Sequence, residues 1–293
     1  MDKKQSDDPV SWIVTLIHNF IRESPENTLK NESGDKAFEK ALVGFSSGAD
    51  PLYEAYKEHI GPFHWTPLEI FKLAFPADDV RPEELTVISW VLPHIEVTKA
   101  DNRKETVYPS ERWARARGFG EDFNIELRRH VLATLEEAGY QAVAPQLFAE
   151  WTREISDRYG FASTWSERHA AYASGLGTFG LCDALITPVG KAMRLGSVVA
   201  RIQIPPTPRP YEDRHAYCLF FTDGICGKCI SRCPVHALSE AGHDKVKCWE
   251  YVEVKMAEYV KSKYGFDGYG CGLCQTKVPC ESKIPASRDL EGY

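Results

Sequence analysis

The sequence predicts an α+β protein, in which a mixed helix-and-sheet body precedes a smaller module that is rich in loops and cysteines. Helix-like and strand-like segments share the first 204 residues, and four prolines then crowd the six positions from Pro205 to Pro210. Such a proline run cannot continue a sheet and favours an extended connector. Eight of the nine cysteines follow it, in roughly the last quarter of the chain. We therefore predict two domains, residues 1–204 and residues 205–293.

The overall composition is that of a soluble globular protein, with 43% hydrophobic and 26% charged residues. The net charge of −7 argues against a nucleic-acid-binding surface, because such domains usually carry a basic excess. No signal peptide, twin-arginine leader or membrane-spanning apolar run is apparent. We therefore expect a cytoplasmic protein, in which clustered cysteines are metal ligands rather than disulfides.

A capping residue followed by proline marks the starts of three helices in the first part of the chain. At the first start, Asp8 can cap the helix, and Pro9 suits the first helical position, where the backbone N–H has no intrahelical partner. The same kind of pair recurs at positions 50–51 and 66–67. The predicted helices cover residues 8–20, 52–60 and 68–75.

The remaining elements of the body follow from apolar periodicity and β-forming residues. Apolar residues recur every four positions from Phe123 to Leu135, and Gly139 follows, which predicts a helix over residues 122–138. A shorter helix begins at Ser166 and stops at Gly175. Runs rich in β-formers predict the strands. These strands cover residues 85–92, 141–143, 184–187 and 197–204, and one further helix, within the cysteine-rich module, covers residues 248–261.

The cysteines fall in an order that is typical of two 4Fe–4S clusters with crossed ligands. Cys226, Cys229 and Cys233, with Pro234 directly after them, match the end of the bacterial ferredoxin pattern, in which the last cysteine ligates the other cluster. Eight thiolates make two sets of four, as two cubes require. The predicted ligands are Cys218, Cys226, Cys229 and Cys280 for the first cluster, and Cys233, Cys248, Cys271 and Cys274 for the second.

A pair of four-thiolate zinc sites is the alternative interpretation. The two-residue spacings at 226–229 and 271–274 would suit zinc equally well. Zinc, however, gives no reason for the proline after Cys233 or for the crossed order. The spacing departs from the ferredoxin pattern at Cys218 and Cys280, which stand farther from their neighbouring cysteines than that pattern has them. Both irregular ligands belong to the same predicted cluster.

The stretch from Arg168 to Gly196 resembles the core of epoxyqueuosine reductases and reductive dehalogenases. Closely spaced glycines in this stretch are followed by a Thr-Pro pair and a Leu-Gly pair. In that family the same signature lies just upstream of a double 4Fe–4S module, and the cysteine order of this chain resembles that module as well. The resemblance implies a nitroreductase-like α/β body that binds cobalamin, followed by a bacterial ferredoxin-like module with two 4Fe–4S clusters.

The resemblance also implies which residues contact the corrin. A glycine lets the backbone approach a flat macrocycle closely. The alternative for the glycines is structural, because a helix end and a tight turn would also require them. The predicted cofactor-binding residues are Gly175, Gly177, Gly180, Thr187, Leu195 and Gly196.

Residues 114–124 resemble the segment that carries the presumed proton donor of epoxyqueuosine reductases, and that role would fall on Asp122. In a buried, water-poor site its pKa would be raised, making it a competent acid near neutral pH. Alternatively, Asp122 only caps the helix that follows it. Tyr172 is a second candidate donor, and Cys182 either packs in the core or contacts the redox centre.

Together these features predict an oxidoreductase that passes electrons through two 4Fe–4S clusters to cobalamin. It would reductively cleave a carbon–oxygen or carbon–halogen bond in a small molecule, with electrons from an external donor such as a ferredoxin or flavodoxin and no membrane partner. One alternative is a cobalamin-free electron-transfer protein that serves a partner enzyme. Another is reduction of epoxyqueuosine in tRNA. Against this stand the net charge and the end of the chain at Tyr293, before the helical repeat domain that holds tRNA in that family.

Overall fold

A four-stranded antiparallel sheet lies at the centre of the body in the computed structural model, which describes residues 8–292. The strands are β1 Leu42–Ser47, β2 Thr86–Pro93, β3 Ala142–Val143, β4 Arg153–Ser156, β5 Gly160–Ser163, β6 Thr178–Phe179, β7 Leu185–Ile186, β8 Met193–Ala200, β9 Leu238–Ser239 and β10 Gly242–His243. The central sheet has the order β1-β2-β8-β3, and the other strands form three small hairpins.

Helices flank this sheet and also frame the cysteines. They are α1 Pro9–Glu23, α2 Leu52–His59, α3 Pro67–Ala74, α4 Glu96–Lys104, α5 Glu111–Glu137, α6 Glu167–Ala173, α7 Leu219–Thr222, α8 Lys228–Ser231, α9 Lys245–Trp249 and α10 Met256–Tyr264. A π-helical turn, Glu250–Lys255, joins α9 to α10. Short 3₁₀ turns occur at Pro82–Glu84, Pro145–Leu147, Leu273–Gln275 and Ser287–Gly292. The mixture of helices and antiparallel sheets confirms the predicted α+β class.

The central sheet is buried on both faces. Strand β2 is buried along its whole length, and its alternating side chains enter two different apolar cores. Ile88 and Trp90 pack with α1 and α5, whereas Val87 and Val91 pack with α2, α3 and α6. A strand covered on both sides reads as a continuous apolar run, and this explains why the strand at residues 85–92 was predictable from sequence.

The three predicted N-terminal helices are confirmed, with small differences at their ends. Asp8 caps α1 by accepting a hydrogen bond from the Ser11 N–H at 3.0 Å, and the helix continues to Glu23 rather than ending at Phe20. Thr66 begins α3 with a reciprocal capping box, because its hydroxyl and the Glu69 carboxylate each bind the other residue's backbone N–H. Local capping chemistry therefore determined these starts.

The predicted start of the long helix at Asp122 is wrong. Helix α5 begins eleven residues earlier, where the Ser110 hydroxyl accepts a hydrogen bond from the Trp113 N–H. Gly118 and Gly120 lie inside the helix, and a Cβ on Gly120 would approach the Phe38 ring to 2.8 Å. Close packing, rather than a turn, thus explains Gly120. Asp122 lies in mid-helix and cannot act as its cap.

Two predicted strands also differ in extent. The strand expected at 197–204 is β8, which begins at Met193 and ends at Ala200 because it pairs with β2 over that whole length. The strand expected at 184–187 is reduced to the two residues of β7. The helix expected at 248–261 is the continuous run formed by α9, the π-helical turn and α10. Sheet pairing, which residue propensity does not encode, decided the strand limits.

The cysteine-rich part of the chain is tied to α4 by hydrogen bonds. Asn102 donates to the Cys271 carbonyl at 3.2 Å and to the Thr276 hydroxyl at 3.1 Å. Arg103 Nε donates to the buried Glu281 carboxylate at 2.8 Å. Arg232, which belongs to the cysteine-rich part, donates to backbone carbonyls of α4 and of the loop after it. The domain boundary at 204/205 remains a prediction, although residues 205–209 form neither helix nor strand.

Among the described residues, no helix combines the length and apolar character needed to cross a membrane.

Candidate iron–sulfur and cofactor site

The four cysteines predicted for the first cluster line one cavity. Cys218 precedes α7, Cys226 lies in the loop just before α8, Cys229 lies in α8, and Cys280 belongs to the C-terminal segment. Cys218, Cys229 and Cys280 are all less than a tenth exposed. The fold therefore brings together thiols that are separated by more than fifty residues, including both of the irregularly spaced ones. Their ligation of iron remains a prediction.

The four cysteines predicted for the second cluster are also close to one another. Burial, together with the neighbouring Cys248 and Cys233 thiols, raises the pKa of Cys271 to about 12. The hydrogen bond with Cys182, burial and the neighbouring Cys271 thiol likewise raise the pKa of Cys274. Among the described residues, however, no three histidine, cysteine or acidic side chains are grouped closely enough to hold a single metal ion.

Cys182 lies between the two sets of thiols. Its side chain is buried, and hydrogen bonds from Cys229 of the first set and Cys274 of the second lower the pKa of the Cys182 thiol. The Lys191 ammonium donates to the Cys182 Sγ at 3.3 Å. The sequence singled out Cys182 as either a packing residue or a redox contact, and its position beside both sets keeps the second interpretation open.

Lys191 is a candidate site residue that sequence reasoning missed. It is 2% exposed and lines the same cavity as the first four thiols, and its backbone N–H donates to the Cys280 carbonyl at 2.9 Å. Within the described part of the chain it forms no ion pair with a carboxylate. A buried ammonium needs a compensating negative charge. Soft thiolates around a buried cation therefore fit an anionic iron–sulfur cluster.

The signature glycines make close approaches to this chain's own atoms. A Cβ on Gly177 would lie 2.2 Å from the Ile186 carbonyl oxygen, and one on Gly196 would lie 2.5 Å from the Trp90 ring. Gly175 has φ +76° directly after α6, and a Cβ there would meet the Pro208 carbonyl at 2.7 Å. A Cβ on Gly180 would lie 3.2 Å from the Ile186 side chain. Internal packing thus accounts for Gly175, Gly177 and Gly196, and the contact of all four glycines with a corrin remains a prediction.

The other two predicted cofactor residues also have internal partners. The buried Thr187 hydroxyl donates to the Gly190 carbonyl at 2.7 Å and closes a tight turn. The Leu195 carbonyl accepts hydrogen bonds from the Asn124 amide at 2.9 Å and from Arg128 at 3.2 Å. These contacts hold the turn before β8 and join β8 to α5.

A buried network of charges connects α5 to β8 and α6. Arg128 is 1% exposed and contacts Glu121 and Glu167 at 3.1 Å each. Arg194 Nε donates to Glu121 at 3.0 Å. Burial by itself would raise the pKa of Glu121, but Arg194 and Arg128 outweigh it and lower that pKa to about 2. Glu121 is therefore a carboxylate, 20% exposed, that stays ionised because two guanidinium groups flank it.

Asp122, the predicted proton donor, lies on the exposed side of α5. The carboxylate of α5 that turns inward is its neighbour Glu121, which is 20% exposed and contacts Arg128. A sequence signal could have located this inward-facing carboxylate. The polar residues Asn124 and Arg128 interrupt the apolar pattern of α5, and both are buried beside Phe123 and Leu127. Asp122 lacks the buried, water-poor surroundings that were expected, and its catalytic role remains a prediction.

The fold of this chain is similar to that of solved reductive dehalogenase structures. No family profile matches the chain, and no curated protein sequence does. Among solved structures, the catabolic reductive dehalogenase NpRdhA is similar to this chain at 13% identity with a TM-score of 0.51. The match covers 96% of this chain and 38% of that one. The chain therefore spans well under half of the length of this relative.

Two further solved structures are similar to this chain. One is a reductive dehalogenase whose description concerns B12-dependent dehalogenation, with 14% identity, a TM-score of 0.50, and coverage of 86% of this chain and 31% of that one. The other is epoxyqueuosine reductase from Bacillus subtilis, with 17% identity, a TM-score of 0.45, and coverage of 94% and 68%. The similarity to the reductive dehalogenase confirms the predicted resemblance at the level of the fold. The match to epoxyqueuosine reductase has a lower TM-score, and no conclusion rests on it.

Proposed function

We propose that this protein is an oxidoreductase that holds two 4Fe–4S clusters and binds cobalamin for the reductive cleavage of a carbon–halogen or carbon–oxygen bond. The observation that carries the proposal is the convergence of Cys218, Cys226, Cys229 and Cys280 on one cavity beside the buried Lys191. The shared fold of the reductive dehalogenases supports it. The substrate is proposed to be a small molecule rather than a nucleic acid, given the net charge of −7.

The residues of this chain would hold and insulate the redox centres. Eight thiolates would hold the two clusters, and Lys191 would balance part of their negative charge. Cobalamin, when bound, would supply reduced cobalt as a nucleophile or one-electron donor. In the overall reaction, two electrons and one proton convert the carbon–halogen or carbon–oxygen bond into carbon–hydrogen, and the leaving group departs as an anion. An external donor of the ferredoxin or flavodoxin type would supply the electrons.

The proton donor is proposed to be Asp122 or Tyr172. Asp122 is exposed and can exchange protons with solvent. Tyr172 is 7% exposed, and burial raises the pKa of its hydroxyl, so that it stays protonated. If Asp122 donates the proton, turnover should be lost in Asp122→Asn and kept in Tyr172→Phe. Loss of turnover in Tyr172→Phe, with activity kept in Asp122→Asn, would make Tyr172 the donor.

The decisive experiment is anaerobic reconstitution followed by iron and acid-labile sulfide analysis. We expect about eight irons per chain, because two cubes carry four each, and about half that number in Cys280→Ser. Cys182→Ser is the matched control and should keep the full iron content. Tetrahedral zinc in place of iron, or equal loss in both variants, would contradict the cluster assignment. Titration with cob(II)alamin, followed by electron paramagnetic resonance, then tests the cobalt step.

A cobalamin-free electron carrier is the second candidate. The observation that favours it is that the signature glycines pack against this chain's own backbone and rings. It predicts full iron loading and reversible cluster reduction, but an unchanged cob(II)alamin spectrum on mixing with the protein. A changed spectrum at stoichiometric protein would remove this candidate.

A further inference from the structure

Exposed apolar side chains gather around the helical run that carries Cys248. Val246 and Trp249 on α9, and Val254 on the π-helical turn after it, are each more than a third exposed. Cys248 lies between the first two in the sequence and is itself partly exposed. Single exposed apolar residues are common on protein surfaces, whereas a group of them marks an interaction site.

The β4–β5 hairpin extends this apolar surface. The Trp249 and Phe161 rings lie 5.6 Å apart, and Phe161 pairs across the hairpin with Ile155, which is two-thirds exposed. Directly paired residues of antiparallel strands point to the same face of the hairpin. Ile155 and Trp249 therefore both border Phe161. We call Ile155, Phe161, Val246 and Trp249 the apolar patch.

Polar contacts fix the hairpin against the helical run and leave the apolar patch open to solvent. The Arg153 guanidinium of β4 donates to the Glu253 carboxylate of the π-helical turn at 2.8 Å and 3.0 Å. The Lys245 ammonium donates to the Phe161 carbonyl at 3.2 Å. π-Helical turns occur frequently at functional sites. The two elements thus form one surface that exists before any partner binds.

The charge of the helical run is opposite to that of the whole chain. Residues 245–264 carry five lysines and three glutamates, whereas the chain has a net charge of −7. Lys247 and Lys255 are exposed and, within the described part of the chain, form no ion pair. Glu253 is already paired, and Asp244, just before the run, accepts the Lys247 N–H as the helix cap. This charge favours an acidic partner.

A second group of exposed apolar residues, on the loop between Cys218 and Cys226, fits such a partner less well. Phe221 and Ile225 are roughly half exposed there. The residues between the two cysteines include Asp223 but no lysine or arginine. Three of the four thiols of the first predicted set are buried, whereas all four of the second set are partly exposed. The apolar patch thus combines the favourable charge with the more accessible thiols.

We propose that the apolar patch is the docking site of the electron donor, and that this donor is a small carrier protein with acidic residues around its redox group. One electron passes from the reduced carrier to the oxidised second cluster, no bond forms or breaks, and the carrier leaves oxidised. Such a transfer requires the two centres to come close, and Cys248 is a predicted ligand of that cluster. The inference rests on the proposed function, since only a redox centre gives the carrier a reason to bind here.

The experiment measures the binding of an oxidised plant-type 2Fe–2S ferredoxin, an acidic carrier, to the cluster-loaded full chain by anaerobic calorimetry. We expect binding that weakens as salt rises, and no binding of a basic cytochrome c. Trp249→Ala and Val246→Glu should each weaken ferredoxin binding about tenfold. Lys247→Glu should weaken it at low salt and have little effect at high salt. Phe221→Ala is the matched control, because it removes an exposed aromatic ring near the first set of thiols.

Reduction of the clusters by methyl viologen radical, a small molecule that needs no docking site, should proceed equally fast in all these variants. Unchanged ferredoxin binding in both Trp249→Ala and Val246→Glu, or a larger loss in Phe221→Ala, would overturn the inference while the proposed function stands. A dimer that Trp249→Ala dissociates in sedimentation would assign the patch to a second copy of the chain and also overturn it. Absence of iron from the reconstituted chain would refute the proposed function and the inference together.

Discussion

The body and the cysteine-rich region of this protein are stabilised by different kinds of interaction. The body has two large apolar cores, one on each face of the central sheet. The buried cluster around the thiols has nine members, of which four are cysteines. Burial of apolar surface can therefore stabilise the body by itself, whereas the cysteine-rich region depends on what its thiolates bind. The four predictions that follow test this contrast, from the largest expected effect to the smallest.

Removal of the proposed clusters should unfold the cysteine-rich region selectively. Binding free energy at a thiolate site is also folding free energy. After anaerobic treatment with ferricyanide and a chelator, we expect amide exchange at residues 218–280 to accelerate by about a thousandfold, while β2 and β8 keep their protection. Hydrogen exchange read by mass spectrometry measures both regions in one sample. Equal acceleration in the sheet would show that the two regions are not independently stabilised.

Truncation of a core side chain should lower the stability of the body whether or not the proposed clusters are loaded. Leu127 is fully buried on α5, and Leu127→Ala removes apolar contacts and leaves a cavity. We expect the free energy of unfolding to fall by about 2–5 kcal/mol, as measured by urea denaturation. Leu132→Ala is the control on the same helix, and it should cost less because Leu132 is only half-buried. A loss confined to the cluster-loaded form would contradict the prediction.

Loss of the buried charge at Glu281 should weaken the contact between the body and the cysteine-rich region. Glu281 is 3% exposed and accepts hydrogen bonds from Arg103 Nε and from the Lys277 N–H. Because charged hydrogen bonds are stronger than neutral ones, Glu281→Gln should cost about 2 kcal/mol in a chemical denaturation experiment. The exposed Glu258→Gln is the control. Equal stability of Glu281→Gln and Glu258→Gln would show that the contacts of Glu281 do not stabilise the protein.

Neutralisation of Lys191 should shift a cluster potential without removing iron. A buried positive charge beside a cluster stabilises the more negative, reduced state. We therefore expect Lys191→Gln to lower the midpoint potential by about 50 mV, measured by redox titration with electron paramagnetic resonance. Lys228→Gln is the matched control, because Lys228 lines the same cavity but is partly exposed to water. A potential shift of the same size in Lys191→Gln and Lys228→Gln would contradict the prediction that the buried charge has the larger effect.

Part of this fold was predictable from residues close in sequence. The starts of α1 and α3 follow from Asp8 and Thr66, whose side chains bind backbone N–H groups three residues onward. Strand β2 was predictable because burial on both faces makes it a continuous apolar run. The start of α5 was not, since Gly118 and Gly120 would ordinarily weaken a helix. There the packing of Phe38 against Gly120 outweighed local propensity.

The sequence by itself determined the number, order and chemical type of the thiols, since spacing and residue identity are properties of the chain. Only the tertiary structure decided that Cys280 joins Cys218 at one cavity, that Lys191 is buried beside them, and that Glu121 rather than Asp122 turns inward. Such facts depend on which distant segments pack together, and packing is set by the shape and burial of the whole molecule rather than by neighbours along the chain.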